Sequence, residues 1–270
     1  MGLIKGLKKA VRVAGTITDQ SQPDFIIIGA QKAGTTALFS ILDQHSSLQG
    51  SRIKEVHYFD DDDWYGKQRH YEYHAYFPPK RSVPEGQLLF EATPRYMYHS
   101  QVAQRLHDYK PDLKLIAVLR DPAERALSAW HMYHHHFKEG EYRQYHDARS
   151  FTEVVEKGIA TITKTGEADD KGIISRGLYA PQLARYYEHF DKQQLLVLES
   201  NELKGEFDNA MVRVCDFLQV GRESLSYNER NKRREEKTED ELRALDRLRT
   251  FYKPYNEALF AMLGKKYDWN

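Results

Sequence analysis

The chain has 270 residues, 40% of them hydrophobic and 30% charged, a composition that allows one α/β domain or two small ones and excludes disordered, collagenous and coiled-coil architectures. Forty Lys and Arg side chains balance forty Asp and Glu, so no global field draws a nucleic-acid polymer. The single cysteine, Cys215, excludes a disulfide framework and a multi-cysteine metal site, and no apolar run reaches the ~18 residues of a membrane span.

In chain order, the first element is a basic leader over residues 1–22. Lys5, Lys8, Lys9 and Arg12 meet no acid before Asp19, while Leu3, Ile4, Leu7, Ala10 and Val11 share one helical face. Residues 1–13 therefore suit peripheral contact with an anionic membrane surface, or an arm packed on the domain. Without a secretory core segment, the expected location is cytoplasmic, with that contact at the inner membrane surface. Residues 23–270 read as a single domain. Phe25–Ile28, apolar on both faces, predicts a central parallel strand. A glycine loop follows, then a helix over Thr36–Asp43. Further strands are predicted at Leu88–Glu91, Leu113–Leu119 and Leu195–Glu199. Helices are predicted from Pro122 to about Phe137, near Phe151–Gly158, and at Pro181–Phe190, Phe207–Leu218 and Asp240–Leu263. Strands alternating with helices predict an α/β fold with a P-loop-like, doubly wound parallel sheet flanked by helices.

The loop reads Gly29-Ala-Gln-Lys32-Ala-Gly34-Thr35-Thr36. Glycines after a strand and before a helix bring backbone N–H groups and a helix N-terminus to bear on an anion. A nucleotide-triphosphatase loop places lysine directly after the second glycine, where this chain has Thr35; its lysine, Lys32, lies inside the loop. The strand at 113–119 leads into Arg120-Asp121-Pro122. A magnesium-dependent NTPase wants a carboxylate there, whereas arginine offers a fork of donors to an oxyanion. Ser128, about two turns along the following helix, adds a hydroxyl. His131, His134 and His135 share a helical face that suits an acceptor contact, a metal, or a solvated surface. Lys232, Arg233 and Arg234 form a basic run, read either as an anion contact or as a solvated charge cluster.

These residues carry a resemblance. Gln31-Lys-Ala-Gly-Thr-Thr36 resembles the 5′-phosphosulfate loop of sulfotransferases, and Arg120 with Ser128 resembles their 3′-phosphate motif. Lys54-Glu-Val-His-Tyr-Phe-Asp60 is similar to the acidic catalytic segment of the heparan sulfate glucosaminyl branch and its bacterial relatives. Phe90-Glu-Ala-Thr-Pro-Arg-Tyr96 is similar to that branch's substrate-side segment, and Arg176-Gly-Leu-Tyr179 to its later cofactor-side stretch. The resemblance implies 3′-phosphoadenosine 5′-phosphosulfate (PAPS) as donor, the 3′,5′-bisphosphate (PAP) as product, and no required metal. It implies Gln31, Lys32, Ala33, Gly34, Thr35, Thr36, Arg120, Ser128 and Tyr179 as cofactor-binding, with contacts from among Lys232, Arg233 and Arg234. It implies Glu55 as general base, with His57 nearby. In-line transfer also needs a cation at the departing phosphate, for which Lys32 is placed. If residues 55–60 are extended, Glu55 and His57 share a face, and a carboxylate partly desolvated beside His57 has its pKa raised toward neutrality. Glu91, at a strand end, is the second candidate base.

The departures matter. The enzymes modifying the glucosamine 3-hydroxyl carry basic residues flanking the loop lysine and a lysine after the glutamate of the substrate segment. Here those positions are Gln31, Thr36 and Ala92. Fewer cations face the acceptor, so a heavily sulfated polyanion fits poorly, and the acceptor is a hydroxyl or amine of a carbohydrate or small metabolite. Two other readings compete: a P-loop kinase, and a non-catalytic nucleotide-binding module at a membrane surface.

Overall fold

The computed structural model describes residues 19–227 and 236–269. The leader segment 1–13 and the run Lys232, Arg233, Arg234 lie outside the described residues. In chain order the main elements are β1 (Phe25–Gly29), α1 (Thr35–Leu42), β2 (Leu48–Gly50), β3 (Leu88–Ala92), α2 (Val102–Tyr109), β4 (Lys114–Leu119), α3 (Pro122–His131), α4 (Phe151–Thr165), α5 (Tyr179–Tyr187), β5 (Leu195–Glu199), α6 (Phe207–Leu218) and α7 (Glu239–Leu263). The described residues form two compact units, one drawn from 19–29, 34–118 and 186–227, the other from 30–33, 119–185 and 236–269.

The first unit carries a five-stranded sheet in the order β2-β3-β1-β4-β5. The pairings of β1 with β3 and β4, and of β2 with β3, are parallel. Every residue of β1 is buried, as its continuous apolar run requires of a central strand. The register sets Ile26 opposite Glu91 and Leu115, so the charged member of β3 lies at the middle of the sheet. Helices pack on this sheet, α1 against β1, β2 and β3, and α6 against β5. Phe90 stacks on Phe25 with ring centroids 4.8 Å apart and meets Phe39 of α1 at 5.0 Å. Each such ring contributes about 2–3 kcal/mol on leaving water. Between β2 and β3 the chain is held by rings: Tyr58, Phe59 and Tyr73 are fully buried, together with Tyr96 after β3.

The second unit is helical. Its core joins Leu127 and Trp130 of α3, Phe151, Val155 and Ile159 of α4, and Leu245, Leu248 and Tyr252 of α7. Asp121 caps α3, accepting from the amides of Ala123 and Glu124, with Pro122 in the first turn. Ser150 and Thr238 begin α4 and α7 with reciprocal capping boxes. The α-helix at Pro122 ends at His131, and one π-helical turn over Met132–His136 completes the predicted span. α4 runs past Gly158, the expected stop, to Thr165. Gly158 is a packing position: a β-carbon there would lie 2.6 Å from Ile174 Cγ1.

Candidate active site

The loop after β1 closes a turn through the amide of Ala33 and the carbonyl of Ala30, 3.1 Å apart. Lys32 stands at φ 69°, and Gly34, at φ 112°, caps α1 without a side-chain acceptor. Helix α1 therefore begins with backbone donors that no capping side chain fills, as anion-binding helix starts do. Thr35 and Ala33 are buried, Gln31 and Lys32 partly so, and Thr36 is exposed.

Arg120, just past β4, donates through Nη1 to the Lys32 carbonyl at 3.3 Å, with Nη2 3.6 Å from Glu124. Glu124 is shared with Lys237 at 2.9 Å and Arg249 at 3.5 Å. Tyr179, buried, donates its hydroxyl to the Arg120 carbonyl at 2.9 Å and fixes the strand end from behind. Arg176 donates to the Gln31 side chain at 2.5 Å, tying the 176–179 stretch to the loop. Ser128 lies partly buried on α3. Arg120 thus meets the Lys32 backbone, and the two cations could hold an anion.

The acidic segment belongs to the sheet-bearing unit and has its own logic. Glu55 accepts from Lys54 Nζ at 2.5 Å, and its other oxygen is 3.6 Å from His57 Nε2. His57 Nδ1 lies 2.9 Å from Asp60, whose side chain is fully buried and 3.4 Å from Arg95. The segment is not extended. Glu55 stands at φ 66° and His57 at φ 59°, so two left-handed residues, not strand alternation, bring the pair together. The expected rise of the Glu55 pKa is overturned too. Burial pushes its carboxyl up, yet hydrogen bonds from His57 and Lys54 outweigh burial and hold it at about 2. Burial presses His57 toward its neutral form, but hydrogen bonds to Asp60 and Glu55 raise it to about 9. At neutral pH Glu55 is therefore a carboxylate and His57 an imidazolium.

Glu91 sits at the end of β3 with no exposed surface. Tyr73 and Tyr96 donate to one of its oxygens at 2.9 and 3.0 Å, and Thr93 to the other at 2.7 Å. Burial raises its carboxyl above the ordinary range, against those three hydrogen bonds. The histidines of α3 and its π-turn are also engaged. His131 lies 3.2 Å from Glu241, and the rings of His134 and Trp130 stack at 4.6 Å. Among the described residues no group of His, Cys, Asp and Glu is arranged to hold a metal ion.

Lys54 and Arg95 complete the acidic cluster; the sequence carries them, with Tyr96, inside its two motifs but gives them no role. Lys54 adjoins Glu55 and was open to such a reading. Arg95 and Tyr96 reach the segment only through the fold.

A bifunctional heparan sulfate N-deacetylase/N-sulfotransferase 3 from Homo sapiens is 28% identical over 203 residues, covering 73% of this chain and 22% of the human protein. The chain thus spans about a fifth of the length of that relative. A heparan sulfate glucosamine 3-O-sulfotransferase 3A1 from Mus musculus is 28% identical over 272 residues, covering 92% of this chain and 64% of the mouse protein. A solved sulfotransferase structure from Alicyclobacillus acidocaldarius superposes with a TM-score of 0.69 at 24% identity, covering 92% of this chain and 98% of that one, and so shares the fold. Residues 22–254 match the model of the sulfotransferase domain, and the chain belongs to that family.

Proposed function

We propose that the chain transfers the sulfuryl group of PAPS to a hydroxyl or amine of a carbohydrate or small-metabolite acceptor. The observation that carries this reading is the ion cluster at Glu55, a half-exposed carboxylate kept charged by Lys54 and His57. The donor, when bound, supplies a sulfuryl group poised on a phosphate. Gln31 to Thr36 hold its 5′ side with backbone donors, and Arg120 and Ser128 hold the 3′-phosphate. Lys32 neutralises charge at the 5′-phosphate. Glu55 takes the acceptor's proton. With its pKa at about 2, Glu55 is a weak base at rest. An acceptor that displaces Lys54 or His57 from it raises its basicity at the moment of use. The balanced charge of the chain and the neutral residues Gln31, Thr36 and Ala92 favour an acceptor of low charge.

The test is transfer of label from sulfur-labelled PAPS to a panel of unsulfated glucosamine saccharides, highly sulfated saccharides and small alcohols. Labelled product is expected from the first or third class, with Lys32→Ala lowering kcat more than donor affinity. Label moving only from γ-labelled ATP would overturn the reading in favour of a kinase.

A further inference from the structure

Glu55 and His57 both adopt left-handed backbone, at φ 66° and 59°, which residues bearing a β-carbon rarely do. Such a segment persists only where its surroundings over-determine it. Two anchors are visible. The Glu55 amide donates to the Ala92 carbonyl at the end of β3, at 2.9 Å. On the other side of His57, the amides of Tyr58 and Phe59 donate to Tyr96 Oη at 3.1 and 3.4 Å. A phenol has one proton and two lone pairs. The Tyr96 proton is committed to Glu91 at 3.0 Å, which leaves its oxygen able to accept from both amides. Glu91 in turn is filled by Tyr73 and Thr93, at 2.9 and 2.7 Å.

We propose that Glu91 and Tyr96 are positioning residues. The buried carboxylate orients the Tyr96 phenol, and the phenol oxygen holds the Tyr58 and Phe59 amides so that His57 meets Glu55 and Asp60. The inference rests on the reading of Glu55 as base. It gives Glu91 a part exerted through other groups, not contact with the acceptor's proton. Its pieces are separated in sequence and joined by β3: Glu91 is next to last in the strand, Ala92 ends it and receives Glu55, and Tyr96 lies one turn beyond.

Two matched variants test it. Tyr96→Phe removes the oxygen that accepts the two amides. Tyr73→Phe removes an equally buried hydroxyl from the same carboxylate without touching them. The readout is the titration of the His57 ring by NMR, beside kcat and KM. The groups facing that ring are Glu55 and Asp60, with Lys54 and Arg95 behind them and the Glu91 charge further off. Tyr96→Phe is expected to bring the His57 midpoint down toward the ordinary histidine range and to lower kcat roughly 10- to 100-fold with donor KM unchanged. Tyr73→Phe is expected to leave the His57 midpoint in place and kcat within about twofold, for a similar loss of melting temperature. Equal effects of the two variants, or a His57 midpoint unmoved by Tyr96→Phe, would overturn the positioning role. Deuterium exchange on the unaltered protein gives a check that no folding defect can obscure. Slow exchange of the Tyr58 and Phe59 amides is expected, and rapid exchange counts against the proposal. Full turnover by Glu55→Gln would overturn the base assignment, while the titration result continues to decide the positioning.

Discussion

His57 lies between two carboxylates, and its charge follows from them. Raised from 6.5 to about 9, it contributes stability that is complete below pH 6.5 and lost as pH rises through about 9. Glu55, lowered from 4.5 to about 2, contributes stability that is complete above pH 4.5 and lost as pH falls through about 2. Both contributions to stability are therefore complete together between pH 4.5 and 6.5. The melting temperature should decline from pH 6.5 to 9 more steeply in the wild type than in His57→Gln, and parallel declines would refute the imidazolium. The rate profile follows the same charges. We expect kcat/KM, which reports the free enzyme, to be flat from about pH 4 to 8, without the acidic limb of a base titrating near neutrality. An acidic limb near pH 6 in kcat/KM would mean that Glu55 is not the base, whereas one in kcat alone would show that bound acceptor releases it from its partners.

The stretch Arg176-Gly-Leu-Tyr179 shows how an element is fixed by close approach. A β-carbon at Gly177 would lie 2.7 Å from the Tyr252 hydroxyl and 2.9 Å from Pro122 Cβ. Tyr252 is fully buried and donates to the Ile174 carbonyl at 2.7 Å, so it cannot swing aside. Gly177→Ala should cost about 1–3 kcal/mol by overpacking. In a chain of this size that is a fall in melting temperature of roughly 2–4 °C per kcal/mol, and an unchanged melt would show that α7 yields. The same stretch marks what pattern can disclose. Gly177 stands out as part of a motif, but its reason, the Tyr252 ring, comes from a distant helix. Gly158 misled for the opposite reason: glycine in a helix reads as a stop unless the neighbour it admits, Ile174, is known. β2 escaped notice because Leu-Gln-Gly is too short to show a period, and its pairing with β3 makes it a strand.

Across the chain, β1 and β4, apolar but for Lys114 at the start of β4, were legible because burial on both faces leaves a continuous signature. The loop, the strand-end arginine and the acidic segment were legible because each is contiguous. The charge states were not. They depend on Lys54 and Asp60 closing around Glu55 and His57, and on the pair's left-handed backbone, which no spacing rule announces. Among the described residues, no helix is long and apolar enough to cross a membrane.

Lys32 shares that backbone with Glu55 and His57; among the described residues these are three of the six non-glycine positions with positive φ, and Lys32 and Glu55 are the two proposed to do the chemistry. A left-handed residue costs about 1–2 kcal/mol where glycine costs little. The consequence is a conflict between durability and work. Lys32→Gly should melt higher than the natural chain and turn over far more slowly, and a lower melting temperature would show that the side chain compensates for its own strain. Selection for heat resistance alone would then discard the catalyst while keeping the fold. Melting temperatures of glycine variants at such positions would pick out working residues before any acceptor is identified.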